Sequence, residues 1–135
     1  MNFWHISMRY PYRSDGGVDI DSRDLLVEDS PVIAMNGPDN QASLKEMQNG
    51  DIVLVRNGAT PIALCKVAGP VFSDKSLNEK YCYDIYRKVE VLDFYPKGTN
   101  DSFPDKRRAI RKVGENAASR RFIENWYTEI LKKKG

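Results

Sequence analysis

Two short apolar runs that meet at Asn57-Gly58 constrain this chain more than any other stretch. Asp51 to Arg56 carries Ile52 and Leu54 on one face and Val53 and Val55 on the other, because successive side chains of a strand alternate. Apolar residues on both faces predict a strand covered on both sides, hence a central one. Asn57-Gly58 is a hairpin signal, since both residue types tolerate a left-handed backbone, and Pro61 to Val67 returns as the partner strand. Ala68-Gly69-Pro70 bends the chain away, and Val71 and Phe72 extend the apolar run. A sheet buried on both faces needs a covering layer, and the end of the chain supplies one. From about Asn116 to Lys132, Phe122, Ile123, Trp126, Tyr127, Ile130 and Leu131 form one helical stripe that must bury against the sheet.

The other elements fit around this frame. Residues 2–8 read as a first strand, with Phe3, His5 and Ser7 on one face and Trp4, Ile6 and Met8 on the other. Residues 9–24 form a long loop holding Pro11, Gly16 and Gly17, and Leu25 to Val27 make a helical turn. Pro31 opens a second strand, Val32 to Met35, which Asn36-Gly37-Pro38 ends. A short helix follows over Asn40 to Gln48, with Asn40 as its cap, Leu44 and Met47 on its inner face, and Asn49-Gly50 closing it. Residues 73–80 are polar and read as a surface loop, Tyr81 to Tyr95 as a long strand with a bulge near Tyr86–Lys88, and 96–103 as a loop. Pro104 to Gly114 reads as a further helix. The expected architecture is α+β: a strongly curved mixed sheet or small barrel with flanking helices, one domain over residues 1–135.

The chemistry-bearing residues are few. A single histidine, His5, and two separated cysteines cannot assemble the usual triad or multi-ligand metal site. No nucleophile elbow, P-loop or dinucleotide fingerprint is present. A non-catalytic binding module is therefore expected, with no catalytic residues, no metal and no cofactor. Cys65 and Cys82 lie in apolar or aromatic runs and are expected to be buried free thiols of a reducing compartment. The opening MNFWHISMRY lacks a basic region and a long apolar core, and no apolar run is long enough to span a bilayer. The expectation is a cytoplasmic protein without a membrane partner.

Charge is distributed unevenly. Residues 1–100 hold 11 Lys/Arg and 14 Asp/Glu, whereas residues 101–135 hold 10 and 5. The basic excess includes Lys106, Arg107, Arg108 and Arg111, a candidate phosphate-contacting face. On a helix Arg107 and Arg111 would share one side, while Ile110 and Val113 turn inward. In Arg9-Tyr10-Pro11-Tyr12-Arg13, aromatics alternate with arginines, as in segments that stack on bases and hold phosphates.

Four stretches carry a family resemblance: Phe3-Trp4-His5-Ile6-Ser7, Val32-Ile33-Ala34-Met35-Asn36, Leu44 to Val53 with its L-x-x-M-x-x-G-D-x-V pattern, and Ala63-Leu64-Cys65-Lys66-Val67. Together they resemble the EVE branch of the PUA-like superfamily, and within it the N-terminal reader domains of modification-dependent restriction systems of the McrBC type. The resemblance covers residues 1–95. It implies a PUA-like sheet and the reading of a modified, flipped-out base in DNA or RNA, with a separate effector enzyme as a further partner. Gly50-Asp51 has a physical use in that pattern, because the glycine ends the helix and the aspartate accepts backbone N–H groups.

A flipped base needs flat apolar walls and a few polar groups for its edge. The expected pocket joins Trp4, Tyr10 and Tyr12 as walls to Ser7, Met35, Asn36 and Asp93, with Tyr83 and Tyr86 as further aromatic candidates. Met35 and Asn36 stand where relatives commonly carry a tryptophan. Arg9, Arg13, Lys106, Arg107, Arg108 and Arg111 are the expected phosphate contacts. A reading of another class stays open: a protein-interaction or small-ligand regulatory module that uses the acidic 15–29 stretch and binds no nucleic acid. Steep salt dependence of binding separates the two.

Overall fold

The computed structural model describes residues 1–8, 22–81, 83–96, 101–105 and 109–134. In chain order the elements are β1 (Phe3–Ser7), α1 (Ser22–Leu26), β2 (Val32–Met35), α2 (Pro38–Glu46), β3 (Ile52–Asn57), β4 (Thr60–Phe72), α3 (Lys75–Tyr81), β5 (Ile85–Phe94), β6 (Ile110–Lys112) and α4 (Ala118–Lys134). The strands form one curled sheet in the order β2-β5-β4-β3-β1-β6, with the β3–β4 hairpin in its middle. β1 runs parallel to β3, with Trp4 opposite Val53 and Ile6 opposite Val55. Every other pairing is antiparallel.

Alternation along the central strands sends side chains into two cores. On one face Trp4, Ile6, Val53, Val55, Ala63, Cys65 and Val67 pack with Leu25 of α1, Leu44 of α2 and Tyr81 of α3. On the other, Phe3, Ile52, Leu54 and Leu64 pack with Ile123 and Ile130 of α4 and with Phe103. The stripe on α4 is buried as its spacing requires, with Phe122, Trp126 and Tyr127 half-buried and packed on that core. Leu131 at its end is exposed.

The curl has a local cause. Between Val67 and Val71, β4 takes four steps where β5 takes two, from Val89 to Arg87. Three residues, Ala68-Gly69-Pro70, thus stand opposite the single Lys88, and the bend does not end the strand. A Cβ on Gly69 would lie 3.0 Å from the Lys88 Cβ, so any other residue would push the two strands slightly apart. The Gly69 carbonyl accepts from Arg87 Nε at 2.9 Å. Buried Arg87 also donates to the carbonyls of Leu44 (3.0 Å) and Met47, which closes the C-terminus of α2.

Four local expectations are corrected. The helix over Pro104–Gly114 does not form, because Ile110–Lys112 is a strand on the edge of β1, with Trp4 opposite Lys112 and Ile6 opposite Ile110. Only Ala109, Ile110 and Val113 are apolar between 106 and 113. That is too little for a helical stripe, whereas β1 had an open edge to fill. Residues 73–80 are not all loop: Asp74 Oδ1 accepts from Leu77 N at 3.1 Å and starts α3. The bulge expected near Tyr86–Lys88 lies on β4, at Ala68–Pro70, and one further residue, Leu92, is inserted in β5. Finally, α2 begins two residues before Asn40, with Gly37 at its N-cap and Pro38 in its first turn, and Asn40 Nδ2 donates back to Asn36 O at 3.1 Å.

Candidate nucleic-acid interface

The curl brings the end of β1 to β2, although three strands, β5, β4 and β3, separate them in the sheet order. Met8, buried, accepts at Sδ from Ala34 N at 3.3 Å, and its carbonyl accepts from Tyr83 Oη at 3.0 Å. Tyr86 Oη in turn donates to Tyr83 O at 3.1 Å. Asn36, just past β2, accepts at Oδ1 from Asp84 N at 2.7 Å. Met35, Tyr83 and Tyr86 are buried beneath this junction. The exit of the first strand, the end of the second and the start of the fifth thus share one rim. Met8 and Asp84 belong to that rim without having been singled out in the sequence. Arg9, Tyr10, Tyr12 and Arg13 follow Met8 directly and lie outside the described residues, as do Lys106, Arg107, Arg108 and Cys82.

Three of the expected pocket residues are elsewhere. Trp4 is only 2% exposed, and its Nε1 donates to Asp51 Oδ2 at 3.0 Å, at the far end of β1. An indole packed in the core cannot also wall an open pocket. Asp93 faces α4, where its Oδ2 accepts from Trp126 Nε1 at 2.8 Å, so its strand parity takes it to the other side of the sheet from Met35. Ser7 likewise shares the α4 side with Phe3 and His5, and its Oγ accepts from Gly58 N at 3.1 Å.

That second face holds a buried polar chain that sequence reading did not assemble. Arg56, 1% exposed, donates from Nε to His5 Nδ1 at 3.1 Å and from Nη1 to Gly58 O at 2.8 Å. A guanidinium can only donate, so the imidazole proton sits on Nε2, which faces Asp105 Oδ2 at 3.3 Å. Asp105 also accepts from Arg111 Nη1 at 3.0 Å, and the Arg111 side chain is 40% exposed. Burial, aided by the Arg56 charge, lowers the His5 pKa to about 4. His5 is therefore neutral at pH 7, and Asp105 is balanced by the two arginines. The only sequence signal for this was the polar parity of His5 and Ser7 on an otherwise apolar strand.

Asp51 behaves as its motif predicts. It accepts from Asn2 N (2.9 Å), Gln48 N (3.0 Å) and the Trp4 indole, joining the turn after α2 to the start of β1. Burial would raise its pKa, but these hydrogen bonds together outweigh burial and lower it. Gly50 before it has φ +93°, a conformation that favours glycine. Cys65 is a buried free thiol whose pKa burial pushes up, so it is poorly suited to nucleophilic work. Among the described residues no cluster of His, Cys, Asp and Glu is placed to hold a metal ion, and no helix is long and apolar enough to cross a membrane.

A curled six-stranded mixed sheet with helices on both faces, its hairpin central and its first strand parallel to the third, has the form of an α+β PUA-like fold. The sequence matches no family model and no curated protein. Solved structures do share the fold. Human THYN1 protein, in a crystal structure with DNA containing 5-methylcytosine, is 14% identical at a TM-score of 0.56, over 93% of this chain and 97% of that one. The DUF55 domain of human thymocyte nuclear protein 1 is 16% identical at a TM-score of 0.54, over 91% and 97%. Protein Atu2648 from Agrobacterium tumefaciens is 10% identical at a TM-score of 0.50, over 100% and 94%.

Proposed function

We propose that this chain is a non-catalytic nucleic-acid-binding module that reads a modified base. The observation that carries the reading is the likeness in fold, along nearly the whole of both chains, to a protein crystallised with 5-methylcytosine DNA. The junction of β1 and β2 adds to it. Met35 and Asn36 sit at the same rim from which the Arg9-Tyr10-Pro11-Tyr12-Arg13 segment departs. In this reading Tyr10 or Tyr12 stacks on the base and Asn36 meets its edge. Arg9, Arg13, Lys106, Arg107, Arg108 and Arg111 contact phosphates. Trp4, Ser7 and Asp93 have structural work instead: core packing, the β3–β4 turn and the seat of α4.

The test is fluorescence anisotropy with matched oligonucleotides, single- and double-stranded, with and without 5-methylcytosine and other modified bases. Stacking on one aromatic is worth about 1–3 kcal/mol. Replacing the stacking tyrosine, by Tyr10→Ala or Tyr12→Ala, should therefore weaken binding of the preferred modified oligonucleotide roughly five- to 150-fold. Binding of the unmodified one, held by phosphates, should change little. A chain that binds no oligonucleotide, or whose double variant still prefers the modified one, refutes the reading.

A further inference from the structure

On the α4 side of the sheet, away from the β1–β2 rim, a cavity of about 270 Å³ opens between Asp105, Arg111, Gly114 and the first residues of α4. Its chemistry is one-sided. α4 runs 17 residues, and its dipole points positive charge at this recess. Ala117 precedes it and has no side chain able to cap it. Arg120 N and Arg121 N both turn back to the Ala117 carbonyl, which leaves the amides of Ala118 and Ser119 without a hydrogen-bond acceptor among the described residues. Ser119, only 4% exposed, lines the cavity, and its hydroxyl makes no hydrogen bond among the described residues and is open to the recess. Arg111 brings a guanidinium to the same wall.

A helix start with spare N–H groups beside a guanidinium is suited to an oxyanion. Asp105 also lines the recess, but its Oδ2 is already shared by His5 and Arg111. With His5 neutral, Asp105, Arg111 and Arg56 leave one net positive charge behind the cavity. We propose that this cavity is a binding site for a single phosphate group, held by the Ala118 and Ser119 amides, the Ser119 hydroxyl and Arg111. It is separate from the base pocket. Where the phosphate belongs to a nucleic-acid backbone, the inference rests on the function proposed above; where it is a free phosphate, it does not.

Inorganic phosphate is the first probe, titrated at constant ionic strength while the backbone amide resonances of Ala118 and Ser119 are followed. Both should shift and saturate. Ser119→Ala should weaken phosphate about tenfold, the loss of one hydrogen bond to a charged group. Ala117→Asp supplies a built-in carboxylate cap. It should abolish phosphate binding while raising the melting temperature, so loss of binding cannot be put down to unfolding. The same variant is then tested with an unmodified oligonucleotide. Weaker oligonucleotide binding assigns the site to a backbone phosphodiester, and unchanged binding with loss of inorganic phosphate assigns it to a free phosphate. Amides that do not shift in the unaltered protein, or shifts that neither variant changes, overturn the site. Neither result bears on discrimination between modified and unmodified bases, so the base-reading proposal stands or falls separately.

Discussion

Asp51→Ala removes the acceptor on which three donors from two parts of the chain converge. The Trp4 indole N–H is the most deeply buried, and it is left in the core with no acceptor in place of Asp51. A stranded buried donor costs about 1–3 kcal/mol. The Asn2 and Gln48 amides are part-buried and regain some water, so each adds about 1 kcal/mol. The total is roughly 3–5 kcal/mol, a large share of the 5–15 kcal/mol typical of a whole domain. In urea, with a slope of about 2 kcal/mol/M, the midpoint should fall by about 2 M. The carboxyl's pKa is lower folded than unfolded, so its contribution is present above the unfolded value and fades as pH falls through the folded one. The gap between the parent protein and Asp51→Ala should therefore be full at pH 7 and narrow on acidification. A loss below about 1 kcal/mol, or a gap that does not change with pH, would show that the convergence of donors on Asp51 does not hold the strand.

The buried imidazole gives a second acid effect. With a folded pKa of about 4 against an ordinary 6.5, His5 takes a proton more readily unfolded. Stability should fall as pH drops from about 6.5 towards 4 and then level off, and an NMR titration of the single histidine should show a midpoint near 4; a midpoint near 6.5 contradicts the buried Arg56–His5 contact. Ile123→Ala, at a position with 0% exposure, should cost about 2–5 kcal/mol in denaturant unfolding, whereas Leu131→Ala at the exposed end of the same stripe should cost under about 0.5 kcal/mol. Gly50→Ala, forced into φ +93°, should cost about 1 kcal/mol or more.

The central hairpin and α4 were legible because each is written in a local period: two-sided apolar alternation with Asn57-Gly58 between, and a stripe with 3.6-residue spacing. The failures were of another kind. Ile110–Lys112 is a strand because β1 offers an edge, a partner more than a hundred residues away that no local window contains. Trp4 looked like a pocket wall because aromatic residues suit both cores and base stacking. Its parity on β1 does not choose between them; the indole bond to Asp51 does. Asp93 and Ser7 could have been separated from Met35 by parity had the register been known, but register is set by the two irregular steps between β4 and β5. His5, Arg56, Asp105 and Arg111 come from four separate segments, and only the folded sheet lines them up.

The parallel pairing of β1 with β3 also dictates an order of assembly. β3, β4 and β5 follow one another in sequence and pair antiparallel, so they can zip up locally. β1 has no such neighbour: Phe3 waits for Ile52, and Trp4 waits for Lys112 on the other side. Closing loops of that length is slow, since chain entropy is lost before any contact rewards it. During synthesis β1 must therefore wait for β3 before it has any edge to join, and for β6, the last of the six strands, before it has both. Until β6 arrives, its aromatic face has only one edge to hold it.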